Sequence, residues 1–198
     1  MINHSKKAIF VHVPKTAGTS MRMYFGRRGF GSVEYHAPDG SNDDVTGVYK
    51  IGTSRRIKRN LEDVWDSYFK FAFVRNPWDR MVSCWKNRAG KYNDFSKFLN
   101  DYPYPARNHN LIWHTIPQLD HIRDGNKNIM MDFIGKFENI DNDLKYICDK
   151  LNINYNKLPH HNTSNHKPYW EYYTEQQMMY VGDIYREEIE MFNYEFGK

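Results

Sequence analysis

Residues 8–20 read Ala8-Ile-Phe-Val-His-Val-Pro-Lys-Thr-Ala-Gly-Thr-Ser20, and this stretch decides the fold. Ala8–Val13 is apolar, β-branched and aromatic, and predicts a short buried strand. A turn over Pro14–Gly18 follows, and Thr19–Arg28 runs as a helix until Gly29 and Gly31 break it. A turn of successive amides leading into a helix N-terminus makes an anion cradle, because unpaired N–H groups and partial positive charge converge there. Lys15 adds a full charge, and the hydroxyls of Thr19 and Ser20 can donate to oxyanions. The order differs from the Walker pattern, in which Lys follows the last Gly; here Lys15 precedes Gly18. A plain strand–turn–helix with a solvated lysine is the competing reading of this segment alone.

Working outward, Phe69–Arg75 is a second strong strand. It ends at Asn76, which can cap a helix beginning at Pro77, the favoured first helical position. Arg75 at the strand's end can offer a fork of donors to a phosphate or serve as a structural cap. Ser83 lies two helical turns on, and Asp79 with Arg80 can form a local ion pair that fixes the turn. Val48–Ile51 and Ile129–Phe137 are further strand candidates, and Ile57–Ser67 and Asp141–Leu151 helix candidates. Residues 36–47, 101–117 and 155–173 read as polar excursions. Thr174-Glu-Gln-Gln177 is a capping box opening a terminal helix with the core stripe Met178, Val181, Tyr185, Ile189 and Phe192. Strands alternating with helices predict a parallel α/β sheet with ligands near the strands' C-terminal ends.

The chain has 198 residues and 40% hydrophobic content, which suits one domain spanning 1–198 and excludes disordered and collagen-like classes. Mean hydropathy is −0.84, and no apolar run approaches the roughly 18 residues of a membrane span. Ala8–Val13 is too short for a signal-peptide core. Cys84 and Cys148 form neither a CxxC pair nor a disulfide scaffold, so a soluble, reduced, cytoplasmic protein is expected. The net charge of +4 is uneven: residues 171–198 hold seven acids and two bases, and residues 1–170 hold 26 bases against 17 acids. The basic run Lys50, Arg55, Arg56, Lys58 and Arg59 is either a solvated face or an attractor of an anionic ligand.

The two anion motifs in combination resemble those of the sulfotransferases that use 3′-phosphoadenosine 5′-phosphosulfate (PAPS), most closely the small bacterial and phage members related to the Golgi carbohydrate sulfotransferases. Pro14-Lys-Thr-Ala-Gly-Thr-Ser20 resembles their 5′-phosphosulfate loop, and Arg75 with Ser83 resembles their 3′-phosphate site. The similarity extends to Ile134-Gly-Lys-Phe-Glu-Asn139, Leu158-Pro-His-His-Asn-Thr-Ser164 and Tyr194-Glu-Phe196. It implies a three-layer α/β/α fold with a central parallel sheet, related to P-loop nucleotide kinases. It also implies transfer of a sulfuryl group from PAPS to an acceptor hydroxyl or amine, on a carbohydrate or small molecule, leaving PAP (3′-phosphoadenosine 5′-phosphate). The resemblance further implies no metal requirement. Lys15 would neutralise the leaving oxygen, while Lys15, Thr16, Ala17, Gly18, Thr19 and Ser20 hold the phosphosulfate. Arg75 and Ser83 would select the 3′-phosphate, with Ser164 from the late loop also on the cofactor.

The sequence departs from this pattern in one place. Many members carry a histidine in a Lys-His-Ala-Thr-like stretch, and here Lys50-Ile-Gly-Thr53 puts Ile51 at that position. His36 is the first candidate for the general base, followed by His12, His109, His114, His160 and the acid Asp39; His12 can instead support the loop. Lys167 can reach phosphate, and Tyr102, Tyr104, Trp113 and His114 would border the acceptor. Three alternatives stand beside this reading: a PAP-binding relative without turnover, a P-loop small-molecule kinase, and a basic nucleic-acid-binding domain. Nucleic acid is the disfavoured partner.

Overall fold

The structure, a computed structural model, describes residues 1–31, 53–87, 92–101, 114–158 and 167–198. Strand β1 is Ile2–Asn3, β2 Ala8–Val11, β3 Phe69–Val74 and β4 Phe133–Lys136, in the order β1-β2-β3-β4. β2, β3 and β4 run parallel, with Ala8 opposite Phe69 and Phe71 opposite Phe133. β1 pairs antiparallel to β2 at the edge. The sheet is therefore mixed, with the parallel core that the α/β alternation predicts.

Helix α1 is Gly18–Gly26, α2 Ser54–Asn60, α3 Glu62–Trp65, α4 Pro77–Lys86, α5 Phe95–Asp101, α6 Leu119–Ile122, α7 Ile140–Lys150, α8 Glu175–Ile184 and α9 Arg186–Phe192. The chain divides into two compact units, Met1–Val74 with Leu119–His161, and Arg75–Gln118 with Asn162–Lys198.

The first unit holds the sheet. Ala8, Phe10, Phe71 and Phe73 face Met21, Tyr24 and Phe25 of α1 and Leu144, Ile147 and Cys148 of α7. The rings of Phe10 and Phe71 lie 5.4 Å apart, and Phe25 sits 5.2 Å from Phe71. Ile9, Val11, Ala72 and Val74 on the other face are just as completely buried. Strands covered on both faces carry continuous apolar runs, which is why these segments do not alternate. Gly135 is required in β4 because an added Cβ would stand 2.5 Å from the Phe73 ring. Lys70, a charge inside β3, donates Nζ to the carbonyl of Tyr68 at 2.7 Å and pairs with Asp132 at 3.0 Å.

Several boundaries differ from the sequence expectation. The ladder of β2 stops at Val11, short of Pro14, which cannot donate. β4 is shorter than Ile129–Phe137, and Ile129 forms only an isolated bridge to Arg123. The helix expected over Ile57–Ser67 is two helices meeting at Leu61 (φ −131°, ψ 29°). Lys58 and Arg59 close the first and Glu62 and Asp63 open the second, each charge suited to its dipole end. The strand expected at Val48–Ile51 and the loop at 36–47 lie outside the described residues.

In the second unit, Asn76 caps α4 by accepting from the Trp78 amide at 3.1 Å. Thr174 and Gln177 form the expected capping box of α8. A short 3-10 turn, Tyr169–Tyr172, interrupts what reads as loop. The ring of Phe196 contacts Trp78, Tyr169 and Tyr173 at 5.5–5.6 Å. The terminal helix breaks at Tyr185 (φ −108°, ψ 21°), which is buried and donates its hydroxyl to the Thr115 carbonyl. A long-range bond at that residue overrides the local helical pattern.

Candidate functional site

In the first unit, the turn after β2 is built on two residues of left-handed backbone. Lys15 and Ala17 both hold positive φ, 68° and 61°, a conformation that non-glycine residues adopt at a cost of about 1–2 kcal/mol each. Between them Thr16 is wholly buried and donates its hydroxyl to the Val13 carbonyl at 2.9 Å, closing the turn from inside. Ala17 caps α1 without a side-chain bond, and the first turn contains no acid. The first intrahelical bond of the turn runs from the Met21 amide to the Ala17 carbonyl at 2.9 Å. The amides of Gly18, Thr19 and Ser20 thus have no partner within the helix. Lys15 is partly buried, Ser20 buried and Thr19 exposed.

Gly18 is dictated by contact. A Cβ on it would fall 1.6 Å from Nε2 of His12, so the imidazole lies against the glycine backbone. The same ring stacks on Phe10 at 6.1 Å and 23° between planes. His12 thus lies where a residue supporting the loop would lie.

In the second unit, Arg75 leaves β3 with its guanidinium held by Asp79. Nε donates to Asp79 Oδ2 at 2.8 Å, and Nη2 lies 2.8 Å from the same oxygen. Both side chains are largely buried. The expected partnership of Asp79 with Arg80 is therefore replaced by Asp79 with Arg75. Arg80 is almost wholly buried and donates to the carbonyls of His114 and Ile116 at 3.2 and 2.9 Å. Asp79 and Ser83 are one turn apart on α4, so they share a helix face. Ser83 is partly buried.

Gln118 and Glu188 were not singled out from the sequence. Gln118 accepts from the Arg75 amide and donates to the Arg75 carbonyl, each at 2.8 Å. Glu188 in turn accepts from Gln118 Nε2 at 3.0 Å and from its backbone amide at 2.5 Å. The signal for Glu188 was present: with Val181, Tyr185 and Phe192 it falls on one helical stripe, where an acid is out of place. No local signal marks Gln118.

His36, Asp39, Ile51, Tyr102, Tyr104, His109, Trp113, His160 and Ser164 lie outside the described residues. His114 is described, and its carbonyl serves Arg80 and Cys84. Lys167 is exposed and 3.6 Å from Glu171. Among the described residues no cluster of His, Cys, Asp and Glu could hold a metal ion, and no helix is long and apolar enough to cross a membrane.

Comparison with known proteins covers nearly the whole chain. The model of the sulfotransferase family matches residues 1–195. An uncharacterized protein of Archaeoglobus fulgidus is 31% identical over 98 residues, covering 46% of this chain and 72% of that protein. No solved structure matches the chain.

Proposed function

The chain belongs to the sulfotransferase family, and from that premise we propose that residues 1–198 act as one PAPS-dependent sulfotransferase domain with an acceptor hydroxyl or amine on a carbohydrate or small molecule. The observation that carries this is the Lys15–Ser20 loop. Two residues of strained backbone, a glycine pressed on His12 and an acid-free helix start together suit the binding of an anion.

In sulfuryl transfer the bond from sulfur to the phosphate oxygen breaks as the bond to the acceptor oxygen or nitrogen forms. Negative charge grows on the departing phosphate oxygen, and the acceptor proton leaves to a base. Lys15 neutralises the growing charge, and the Gly18, Thr19 and Ser20 amides hold the phosphosulfate; preorganised donors of this kind lower the barrier most where charge develops. Thr16 keeps the loop closed. Arg75, already oriented by Asp79, receives the 3′-phosphate with Ser83, a charge-assisted contact that Lys could not make as a fork. His36 is the proposed base and Ser164 an additional cofactor contact. Cys84 and Cys148 are buried free thiols, which suits a reducing, cytoplasmic setting.

The test is a thermal-shift panel of PAP, AMP, ATP with magnesium, and single-stranded DNA, since a ligand of the folded state raises apparent stability. PAP is expected to give the largest shift. Equal shifts with PAP and ATP would favour a kinase, and a shift confined to DNA and abolished by salt would favour a nucleic-acid-binding domain.

A further inference from the structure

We propose that Gln118 and Glu188 are positioning residues that set the 3′-phosphate selectivity of Arg75, an inference that rests on the reading of Arg75 above. β3 ends at Val74, so Arg75 lies one residue beyond the strand. The Gln118 carboxamide engages both of its backbone polar groups, accepting from the amide and donating to the carbonyl at 2.8 Å each. One side chain thus does for Arg75 what a neighbouring strand does for a ladder residue.

A carboxamide can present its oxygen and nitrogen either way round, and only its neighbours decide. The Arg75 backbone sets the choice here, and Glu188 reinforces it. Glu188 Oε1 accepts from the NH₂ end at 3.0 Å, the same end that donates to the Arg75 carbonyl, so it holds the carboxamide in the orientation that serves Arg75. Glu188 Oε2 fixes the Gln118 backbone amide at 2.5 Å. Its charge is balanced by Arg80 at 3.9 Å, itself anchored on the carbonyls of His114 and Ile116. Gln118 is 0% exposed, Glu188 and Arg80 1%, and Arg75 8%, so water cannot substitute for any link. With Asp79 on the guanidinium, backbone and side chain of Arg75 are both fixed before a ligand arrives. Preorganisation of this kind adds to selectivity as well as to stability.

The test is titration calorimetry of the full chain with PAP and AMP, which differ in the 3′-phosphate, on the wild type, Gln118→Met and Glu188→Gln. The expected result is AMP affinity within about twofold of wild type and PAP affinity roughly tenfold weaker, equivalent to about 1.4 kcal/mol. An unchanged PAP to AMP ratio, however far the melting temperature falls, would overturn the proposal and leave a purely structural network. If both variants fail to fold, Gln118→Asn, which withdraws the same amide by one methylene, is read by the same ratio and the same criterion. A preference for PAP that is lost in Arg75→Ala but kept in the folded Gln118 variant removes this proposal alone. Equal wild-type affinity for PAP and AMP removes the 3′-phosphate reading with it.

Discussion

At the scale of single residues, Lys15 combines an unfavourable backbone with a proposed catalytic charge. Its φ of 68° is a conformation glycine adopts without penalty, so replacing the side chain separates the two properties. Lys15→Gly is expected to change folding stability by no more than about 1 kcal/mol, because relief at positive φ offsets the added freedom of the unfolded chain. Turnover of PAPS is expected to fall on the order of 100-fold, the usual loss of an oxyanion-type contact. Urea titration and a PAP-release assay measure the two, and turnover within threefold of wild type would make Lys15 a solvated turn residue. Lys15, Gly18, Arg75 and Ser83 were legible in the sequence because short-range order places them: a strand end, a turn, a helix start. Asp79 was legible as an ion-pair residue, and its partner is Arg75. Neighbours on a helix start compete for the same carboxylate, and burial favoured Arg75, since Arg80 had Glu188 and two carbonyls from distant sequence.

Among elements, the joint between β2 and α1 includes a close contact of the His12 imidazole with Gly18. Gly18→Ala places a methyl 1.6 Å from Nε2 and is expected to destabilise by roughly 1–3 kcal/mol, the range for overpacking. His12→Ala in the same chain opens the space, so the double variant is expected to be more stable than the sum of the single effects predicts. Strict additivity in a urea double-mutant cycle would show that the two residues do not touch. The strands β2 and β3 and the capped starts of α4 and α8 were readable, because apolar runs, Asn76-Pro77 and the capping box act locally. The break at Tyr185 and the short helix α6 were not. Tyr185 is held by the Thr115 carbonyl, 70 residues away in sequence, and the four-residue α6 is too short to leave a periodic trace.

At the scale of the whole molecule, folding places several acidic side chains where their charged forms are disfavoured, so these groups weaken the fold toward alkali. Burial and a bond with the Cys148 thiol push Tyr24 up to about 12 from its usual 10. Burial likewise raises Cys148 and, strongly, Tyr173. A folded-state value above the unfolded one means the stabilisation is complete below the unfolded value and is lost as pH rises through the folded one. Urea midpoints are therefore expected to fall between pH 10 and 12, and Tyr24→Phe is expected to flatten part of that fall; a wild-type midpoint independent of pH in this window would contradict it. Arg75 is proposed to recognise the phosphate that distinguishes PAP from AMP. Titration calorimetry of wild type and Arg75→Ala with both nucleotides tests it most directly. The wild type is expected to prefer PAP, and Arg75→Ala to lose roughly 2–5 kcal/mol of PAP binding and bind the two nearly equally. An Arg75→Ala protein that keeps the full preference would contradict the claim and move the 3′-phosphate site elsewhere, to Arg55, Arg56 and Arg59 first.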